Sequence, residues 1–436
     1  MKSIAAERLP PKAVAIAFGV LLAIISLAVA CGGSEDDVTS TVSPTQPGGT
    51  APATTSAPSG EAPGVSDTQI VLGADCPLAG AYGAVYSMIP EASRAYFKYI
   101  NETQGGVCGR EIVYKVEDNG SDPAKALEAA RKLVEQDKVF AMVGSVDDLP
   151  HAANWDYLNE NGVPDLLVSA GGNRFGTDPQ GHPWTVQMIP SYTIEGTFFG
   201  RYISENLPGK KIGMLYENSD QGIDELAGLK NGLDPEKNEI VSEQAYETTD
   251  ISVTSQMVNL QNAGAEVVML GSTPGFTAQA IKEANRRGWR PVWFMSYVNA
   301  DDMLFQFVAP ELLEGAISFQ AFKLADWKDD PAVARHYELM RQYDGPAPAN
   351  FTLYGQLLAE VAVEALSRAC DNLTREGLME AVESISDFHS DLLLDDVNIS
   401  FSDSDHIALQ NGQMLRITVQ DGKGKFEYFG PLYVFE

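Results

Sequence analysis

Apolar β-rich segments alternate with amphipathic helical stretches along the chain from Val65, at a spacing of about 30 residues. This alternation is typical of βαβ units built around parallel sheets. One sheet would need nine or more strands, so we predict an α/β fold with two doubly wound parallel-sheet lobes. The predicted strands are 69–74, 111–117, 139–144, 165–168, 211–216, 240–246, 266–271, 292–295 and 316–319.

Helix signals separate these strands, and the character of the chain changes toward its C-terminus. Asp122 followed by Pro123 predicts an N-cap and a first helical position. Two longer helices are expected near 349–369 and 374–386. A β-hairpin over 413–420 and 425–428 follows, with Asp421-Gly422-Lys423-Gly424 as its predicted turn.

The N-terminus has the pattern of an export signal. Lys2, Arg8 and Lys12 precede an apolar segment over 13–30, so residues 1–30 are predicted to be a signal peptide. Ala28-Val29-Ala30-Cys31 resembles a bacterial lipobox, which implies lipidation of Cys31. An uncleaved membrane anchor is the alternative, since the apolar segment is long enough to span a bilayer.

Residues 31–64 contain Thr, Ser, Pro, Gly and Ala with few large apolar side chains. Such a composition cannot offset the entropy of ordering, so we predict a disordered tether. A body exported and held by this tether would face outward, on the cytoplasmic membrane or in the periplasm.

Composition excludes several classes of function. The chain has 60 acidic and 30 basic residues, for a formal net charge of −30, which disfavours any nucleic-acid partner. Its four cysteines form no Cys-x-x-Cys pair, so a zinc site is not expected.

Catalytic signatures are also missing from the sequence. There is no His-Glu-x-x-His, no Gly-x-Ser-x-Gly and no phosphate-binding Gly-Lys-Ser/Thr loop. Asp147, Asp148 and His151 could imitate an acid–base or metal cluster on one helical turn. Capping carboxylates beside a solvated histidine are the favoured interpretation, and we expect neither an enzyme nor a cofactor.

A series of short motifs, in order over about 370 residues, resembles the type I periplasmic solute-binding proteins. The resemblance is to the branched-chain amino-acid and amide receptors of ABC importers. The matching segments are Cys76-Pro77-Leu78-Ala79-Gly80, Tyr99-Ile100-Asn101, Gly105-Gly106-Val107-Cys108-Gly109-Arg110, 118–123, Val143-Gly144, Gly162-Val163-Pro164, His182-Pro183-Trp184, 250–264, Arg287-Gly288-Trp289-Arg290-Pro291 and Asp405-His406.

The resemblance implies two lobes joined by three crossovers, near Ile189, Phe319 and Asp395. Lobe 1 would then comprise 65–189 and 320–395, and lobe 2 would comprise 190–319 and 396–436. A small molecule would bind between the lobes and pass to an ABC permease and its ATPase. A sensory receptor of the same fold is the alternative, and an amidase or hydrolase is a third, disfavoured one.

Three departures from the family pattern bear on the ligand. Similar receptors hold an α-carboxylate with a Ser or Thr hydroxyl after the third strand, and the count along the chain places Asp148 there. The acidic residue that meets the ligand's ammonium group corresponds to Phe276, and an aromatic position corresponds to Gln221. We therefore expect a non-standard ligand: a small aromatic acid, an amide, or a hydroxylated or cationic compound.

Further candidates lie in the loops that follow strands, where ligands bind in open α/β sheets. Tyr82 and Tyr297 offer aromatic contact, whereas Tyr86 and Tyr192 are as well explained by packing. Ser169, Ala170 and Gly171 are expected to present backbone amides to the ligand.

Three cysteines follow Cys31. Cys76 ends a strand, and Cys108 lies beyond a helix roughly 20 Å long, so these two should not pair. The family's topology places Cys370 at the end of a helix that also runs away from the cleft. The resemblance therefore implies a Cys108–Cys370 disulfide and a buried thiol at Cys76.

Overall fold

Two sheets organise residues 62–435, which are the residues that the computed structural model describes. The predicted signal peptide, the Cys31 lipidation site and nearly all of the tether lie outside this range. Within the described range no helix has both the length and the apolar character of a membrane span.

The elements are given in chain order. They are β1 (Gln69–Cys76), α1 (Gly80–Tyr86), α2 (Met88–Gln104), β2 (Glu111–Asp118), α3 (Pro123–Arg131) with a π-helical turn (Lys132–Gln136), β3 (Ala141–Val143), α4 (Asp148–Glu160), β4 (Asp165–Val168), α5 (Arg174–Thr177), β5 (Thr185–Gln187), α6 (Tyr192–Asn206), β6 (Lys211–Glu217), α7 (Asp220–Gly232), β7 (Glu239–Tyr246), α8 (Thr254–Asn262), β8 (Val267–Gly271), α9 (Pro274–Arg286), β9 (Val292–Met295), a 3₁₀ turn (Tyr297–Asn299), α10 (Leu304–Phe307), a 3₁₀ turn (Pro310–Leu312), β10 (Ile317–Gln320), α11 (Pro331–Gln342), α12 (Asn350–Arg368), α13 (Arg375–Glu383), β11 (Asn411–Gln420) and β12 (Lys423–Val434).

Each sheet forms the centre of one lobe. Lobe 1 has five parallel strands in the order β2-β1-β3-β4-β5. Lobe 2 has seven strands in the order β12-β11-β10-β9-β8-β6-β7, of which β6 to β10 are parallel and the β11–β12 hairpin is antiparallel. The predicted α/β fold with two parallel-sheet lobes is confirmed.

The chain crosses between the lobes three times. It crosses after β5, again after β10, and finally near residues 408–411, where Ala408 donates its N–H to the Gln187 carbonyl of lobe 1 at 2.9 Å. The predicted third crossover at Asp395 is wrong. Val397, Ile399 and Phe401 are buried in the core of lobe 1, so the chain still packs on that lobe beyond Asp395, whereas Ile407 joins the core of lobe 2.

Local chemistry explains where several elements begin and end. The Asp122 carboxylate accepts the N–H groups of Ala124 and Lys125, which confirms the predicted cap of α3. The hairpin turn is shorter than predicted, because Gln420 pairs directly with Lys423. Asp421 and Gly422 alone form the turn, both at positive φ, as a type I′ turn requires.

A disulfide ties a loop of lobe 1 to its longest helix. Cys108 and Cys370 are bonded, with Cα atoms 5.3 Å apart, and join the turn after α2 to the end of α12. This is the pairing that the family's topology implies. Cys76 is a buried free thiol at the end of β1.

Candidate functional site

A cavity of about 370 Å³ lies between the two lobes, where the carboxyl ends of both sets of parallel strands meet. This volume is at the lower end of the range of about 300–1,000 Å³ that is usual for small-molecule sites. The lining residues are Tyr82, Tyr86, Ile89, Gly120, Ser121, Val146, Asp147, Asp148, Leu149, Ser169, Ile189, Pro190, Tyr192, Glu217, Gln221, Thr248, Thr249, Thr273, Tyr297, Val298, Gln320, Phe322, Phe351, Tyr354 and Leu409.

Aromatic rings form much of the wall. Tyr86 contacts Phe351 with ring centres 5.5 Å apart, and Tyr192 stacks on Tyr297 at 5.5 Å. The Tyr297 hydroxyl is already used, since it donates to the Pro190 carbonyl at 2.8 Å. These rings offer apolar contact area rather than free polar groups.

Three carboxyl groups are the ionisable acids of the wall, among a larger number of hydroxyl groups. Asp147, Asp148 and Glu217 line the cavity, and no Lys, Arg or His is among its lining residues within 62–435. Burial raises the pKa of Glu217, whose carboxylate accepts the Tyr246 hydroxyl at 3.1 Å. The cavity therefore holds three carboxyl groups without a compensating basic side chain, and burial favours the neutral form of each.

Asp148 uses both of its oxygens inside the protein. Oδ1 accepts the Gly172 N–H at 2.7 Å, and Oδ2 accepts the Tyr192 hydroxyl at 2.9 Å. Burial raises the pKa of its carboxyl to about 7. Because Tyr192 begins α6 of lobe 2, Asp148 joins the two lobes.

Asp147 differs from its neighbour in backbone and in hydrogen bonding. It precedes α4 with φ 95° and ψ 129°, a conformation that costs a non-glycine residue about 1–3 kcal/mol. Its Oδ2 and the Oγ of Ser121 are buried, and neither makes a hydrogen bond of ordinary geometry within the described part of the chain, although the two side chains are near enough for the Ser121 hydroxyl to lower the pKa of the Asp147 carboxyl. Burial raises the pKa of the Asp147 carboxyl to about 7.

Five of the eight residues proposed from the sequence as ligand contacts line the cavity. They are Tyr82, Asp148, Ser169, Gln221 and Tyr297. Ser169 places its Oγ 2.6 Å from the Tyr354 hydroxyl, and Gln221 donates to the buried carboxyl of Glu225 at 3.2 Å.

The other three proposed contacts do not line the cavity. Phe276 turns into lobe 2, where its ring centre is 4.2 Å from that of Tyr246, and Thr273 lines the cavity instead. Ala170 is fully buried against Trp155 and Phe175, so its predicted place at the ligand is wrong.

Gly171 lies directly beneath the stacked tyrosines. A Cβ on Gly171 would come within 2.3 Å of the Tyr297 hydroxyl oxygen, and the Gly171 carbonyl accepts the Tyr192 N–H. Gly171 is not among the residues that line the cavity, and its predicted role as an amide donor to the ligand stays a prediction. Its small size is what the packing requires.

His151 does not join Asp147 and Asp148 in a cluster. Its Nε2 is 3.0 Å from Oδ2 of Asp165, and its ring packs edge-on against Phe175. Within the described residues, no group of three or more His, Cys, Asp or Glu side chains is placed to hold a metal ion.

The lobes also touch at one edge of the cleft. Arg174 of α5 donates to the Asp220 carboxylate of α7 at 2.6 Å, and the Asn173 N–H donates to Asp224 at 2.7 Å. These contacts hold the start of α5 in lobe 1 against α7 in lobe 2.

Comparison with known proteins agrees with this architecture. Residues 69–424 match the profile of a family described as "Periplasmic binding protein". The chain belongs to the periplasmic binding protein family. This confirms the resemblance drawn from the motifs and identifies a solute-binding protein.

Its relatives are distant. An "Amino acid binding protein" of Pseudomonas aeruginosa is 23% identical over 312 residues, covering 70% of this chain and 79% of that one. "Leu/Ile/Val-binding protein homolog 3" of Brucella melitensis is 24% identical over 202 residues, covering 46% of this chain and 54% of the other.

Solved structures share the fold at low identity. A "Fatty acid ABC transporter substrate-binding protein from Thermomonospora curvata" superposes with a TM-score of 0.75 at 23% identity, over 86% of this chain and 95% of that one. A branched-chain amino-acid ABC transporter protein of Thermus thermophilus with bound valine gives 0.74 at 20% identity, over 85% and 98%. A solute-binding protein of Rhodopseudomonas palustris with 3,4-dihydroxybenzoic acid gives 0.71 at 17% identity, over 84% and 97%. The ligands named for these three proteins differ in size, charge and shape.

Proposed function

We propose that this protein is the extracytoplasmic solute-binding component of an ABC importer. In this role it captures a small molecule between its lobes and passes it unchanged to a permease. The supporting observation is that one cavity draws its lining from the strand ends of both lobes and from all three crossovers. A ligand held there contacts both lobes at once, so its binding favours the closed arrangement.

The composition of the cavity favours a mainly apolar ligand over a standard aliphatic amino acid. Aromatic and aliphatic side chains form most of the wall, and an α-carboxylate would find no Lys, Arg or His among the lining residues of the described chain. Asp148 also stands where similar receptors place a hydroxyl for that group.

A ligand screen tests this function. Thermal shift across amino acids, amides, amines, polyols, fatty acids and aromatic acids should reveal compounds that raise the melting temperature, because a ligand that binds only the folded state stabilises it. Titration calorimetry then gives the affinity, and small-angle scattering should show a smaller radius of gyration with ligand. Turnover of a bound compound would instead indicate an enzyme.

We also propose that the mature protein is held to the outer face of the membrane through lipid on Cys31. The motif Ala28-Val29-Ala30-Cys31 and the composition of the following segment support this anchor. Cys31→Ala should move the protein from the membrane fraction to the soluble fraction or leave the signal uncleaved. Ser34→Ala, three residues away, is the matched control and should change neither.

A further inference from the structure

We infer that Asp147, rather than Asp148, is the carboxylate that binds the ligand. We further infer that the ligand is an apolar compound with a protonated amine and no carboxylate. The inference rests on the proposed function and narrows it to one chemical class. It is carried by the unpartnered oxygen of Asp147 and by the way the protein itself occupies the amides of the cleft.

Two polar groups of the cavity wall lie close together. Oδ2 of Asp147 and Oγ of Ser121 are both buried without a partner in the described residues, and both side chains line the cavity. Leaving a buried polar atom without a partner costs free energy, so a ligand that donates a hydrogen bond to it recovers that free energy on binding. A carboxylate beside a hydroxyl is suited to a group that carries several N–H donors, which is what an ammonium group provides.

The backbone of Asp147 gives a second, independent indication. Its φ of 95° is the largest among the non-glycine residues with positive φ in the described chain, and it lies at the start of α4. Strained conformations of this kind persist where the surrounding structure over-determines them, and they cluster at ligand sites. The strain sets where the Asp147 carboxylate lies at the cavity wall.

Three backbone amides at the cleft are already used by protein carboxylates. Asp148 accepts the Gly172 N–H at 2.7 Å, and Glu195 accepts the Tyr297 N–H at 2.6 Å. At the cleft edge, the Asn173 N–H donates to Asp224. A ligand carboxylate would have to displace one of these acids and would then lie among Asp147, Asp148 and Glu217.

An ammonium group on the ligand would be attracted where a carboxylate would be repelled. It would pair with Asp147 by charge-assisted hydrogen bonds, and it would lie in a cavity walled by tyrosine rings, whose faces attract cations. The remaining wall, which includes Phe322, Phe351 and Leu409, accepts an apolar body. The size of the cavity, its acidic side chains and its hydrogen-bond acceptors therefore all favour an apolar amine.

Two series of compounds test this class. Within each series the apolar part of the molecule is the same and only the head group changes. The probes are isoamylamine, isocaproamide and isocaproate, and in parallel phenethylamine, hydrocinnamamide and hydrocinnamate, together with leucine and phenylalanine. Titration calorimetry with the intact mature protein in detergent should give measurable affinity for the amines, and at least tenfold weaker or no binding for the matched acids and amino acids.

Paired substitutions assign the head group to one residue. Asp147→Asn should weaken amine binding at least tenfold while the fold, checked by circular dichroism, is kept. Asp67→Asn removes the same charge from an exposed position outside the cavity lining and should leave affinity unchanged. The wild-type comparison of amine with acid stands even if Asp147→Asn fails to fold.

The outcomes separate this inference from the proposed function. Acids that bind as well as amines, amines that do not bind, or amine affinity unchanged in a folded Asp147→Asn variant would each overturn the inference. The proposed function survives those results as long as another compound of the wider screen binds and closes the lobes.

Discussion

Two cysteines placed across the cleft should lock the lobes together. A Cβ built on Gly172 of lobe 1 lies 3.3 Å from the Cβ of Asp220 in lobe 2. Disulfides join Cβ atoms roughly 3.5–4.5 Å apart, so Gly172→Cys with Asp220→Cys needs only a small adjustment. Gly172 is not at positive φ, and its new side chain would meet Phe175 and Asp148 at 3.0 and 3.1 Å, which also requires a small shift.

The size of the effect follows from the loop that the bridge closes. Residues 172 and 220 enclose about 48 positions, for which the chain-entropy estimate of stabilisation is about 4 kcal/mol. Asp220→Cys also removes the partner of Arg174, a largely exposed ion pair worth about 0–1 kcal/mol. The net expectation is a stabilisation of about 3–4 kcal/mol when the bridge is oxidised.

Scattering and binding measurements check the lock. The oxidised double variant should have the small radius of gyration of the closed form even when no ligand is present. It should also bind ligand far more slowly than the reduced double variant. The Gly172→Cys and Asp220→Cys single variants control for each substitution, and wild type with reductant controls for loss of the Cys108–Cys370 bond. If the bridge forms and ligand still enters at the wild-type rate, the cavity between the lobes is not the binding site.

Three further predictions concern stability. Burial raises the folded-state pKa of Asp147 to about 7 from 3.8. The contribution of this carboxyl to the free energy of unfolding should therefore be lost as pH rises through about 7. In urea titrations from about pH 5 to about pH 8, the free energy of unfolding should depend less on pH in Asp147→Asn than in wild type. The native bond closes a longer loop of 262 residues, so Cys108→Ser with Cys370→Ser should lower the free energy of unfolding by about 5 kcal/mol, measured against wild type in urea, and an unchanged midpoint would contradict this. Arg375 donates to three backbone carbonyls of lobe 1, so Arg375→Met should cost about 2–4 kcal/mol by the same measurement, with Arg375→Lys restoring only part of it.

Sequence reasoning predicted elements whose signal is local. Nine strands and the cap of α3 follow from β-rich runs and from the Asp-Pro pair at the start of a helix. β5, over Thr185–Gln187, was missed because it has one apolar residue between two polar ones, whereas the equally short β3 lies in the continuous apolar run 139–143. The apolar residues of 396–410 indicate burial, but the sequence does not say against which lobe they are buried.

Sequence reasoning was limited in the same way when it assigned single residues of the site. Counting along the chain reaches the loop before α4, where two aspartates are adjacent, but it does not decide which carboxylate is free. That choice depends on the positive φ of Asp147 and on the Gly172 and Tyr192 partners that take both oxygens of Asp148. Phe276 was misplaced for a related reason, since a helix beginning at Pro274 turns its third residue into the lobe.

The hydrogen bonds of the cleft explain how selectivity could arise without a basic residue. Asp148 and Glu195 accept the N–H groups of Gly172 and Tyr297, each within its own lobe, so these two amides do not need a ligand carboxylate as an acceptor. Under the proposed amine specificity, a ligand adds stability through apolar contact and through Asp147, whereas a competing acid finds these two amides occupied and no basic side chain among the lining residues of 62–435. The protein carboxylates that occupy these amides would then also disfavour a ligand that carries an α-carboxylate.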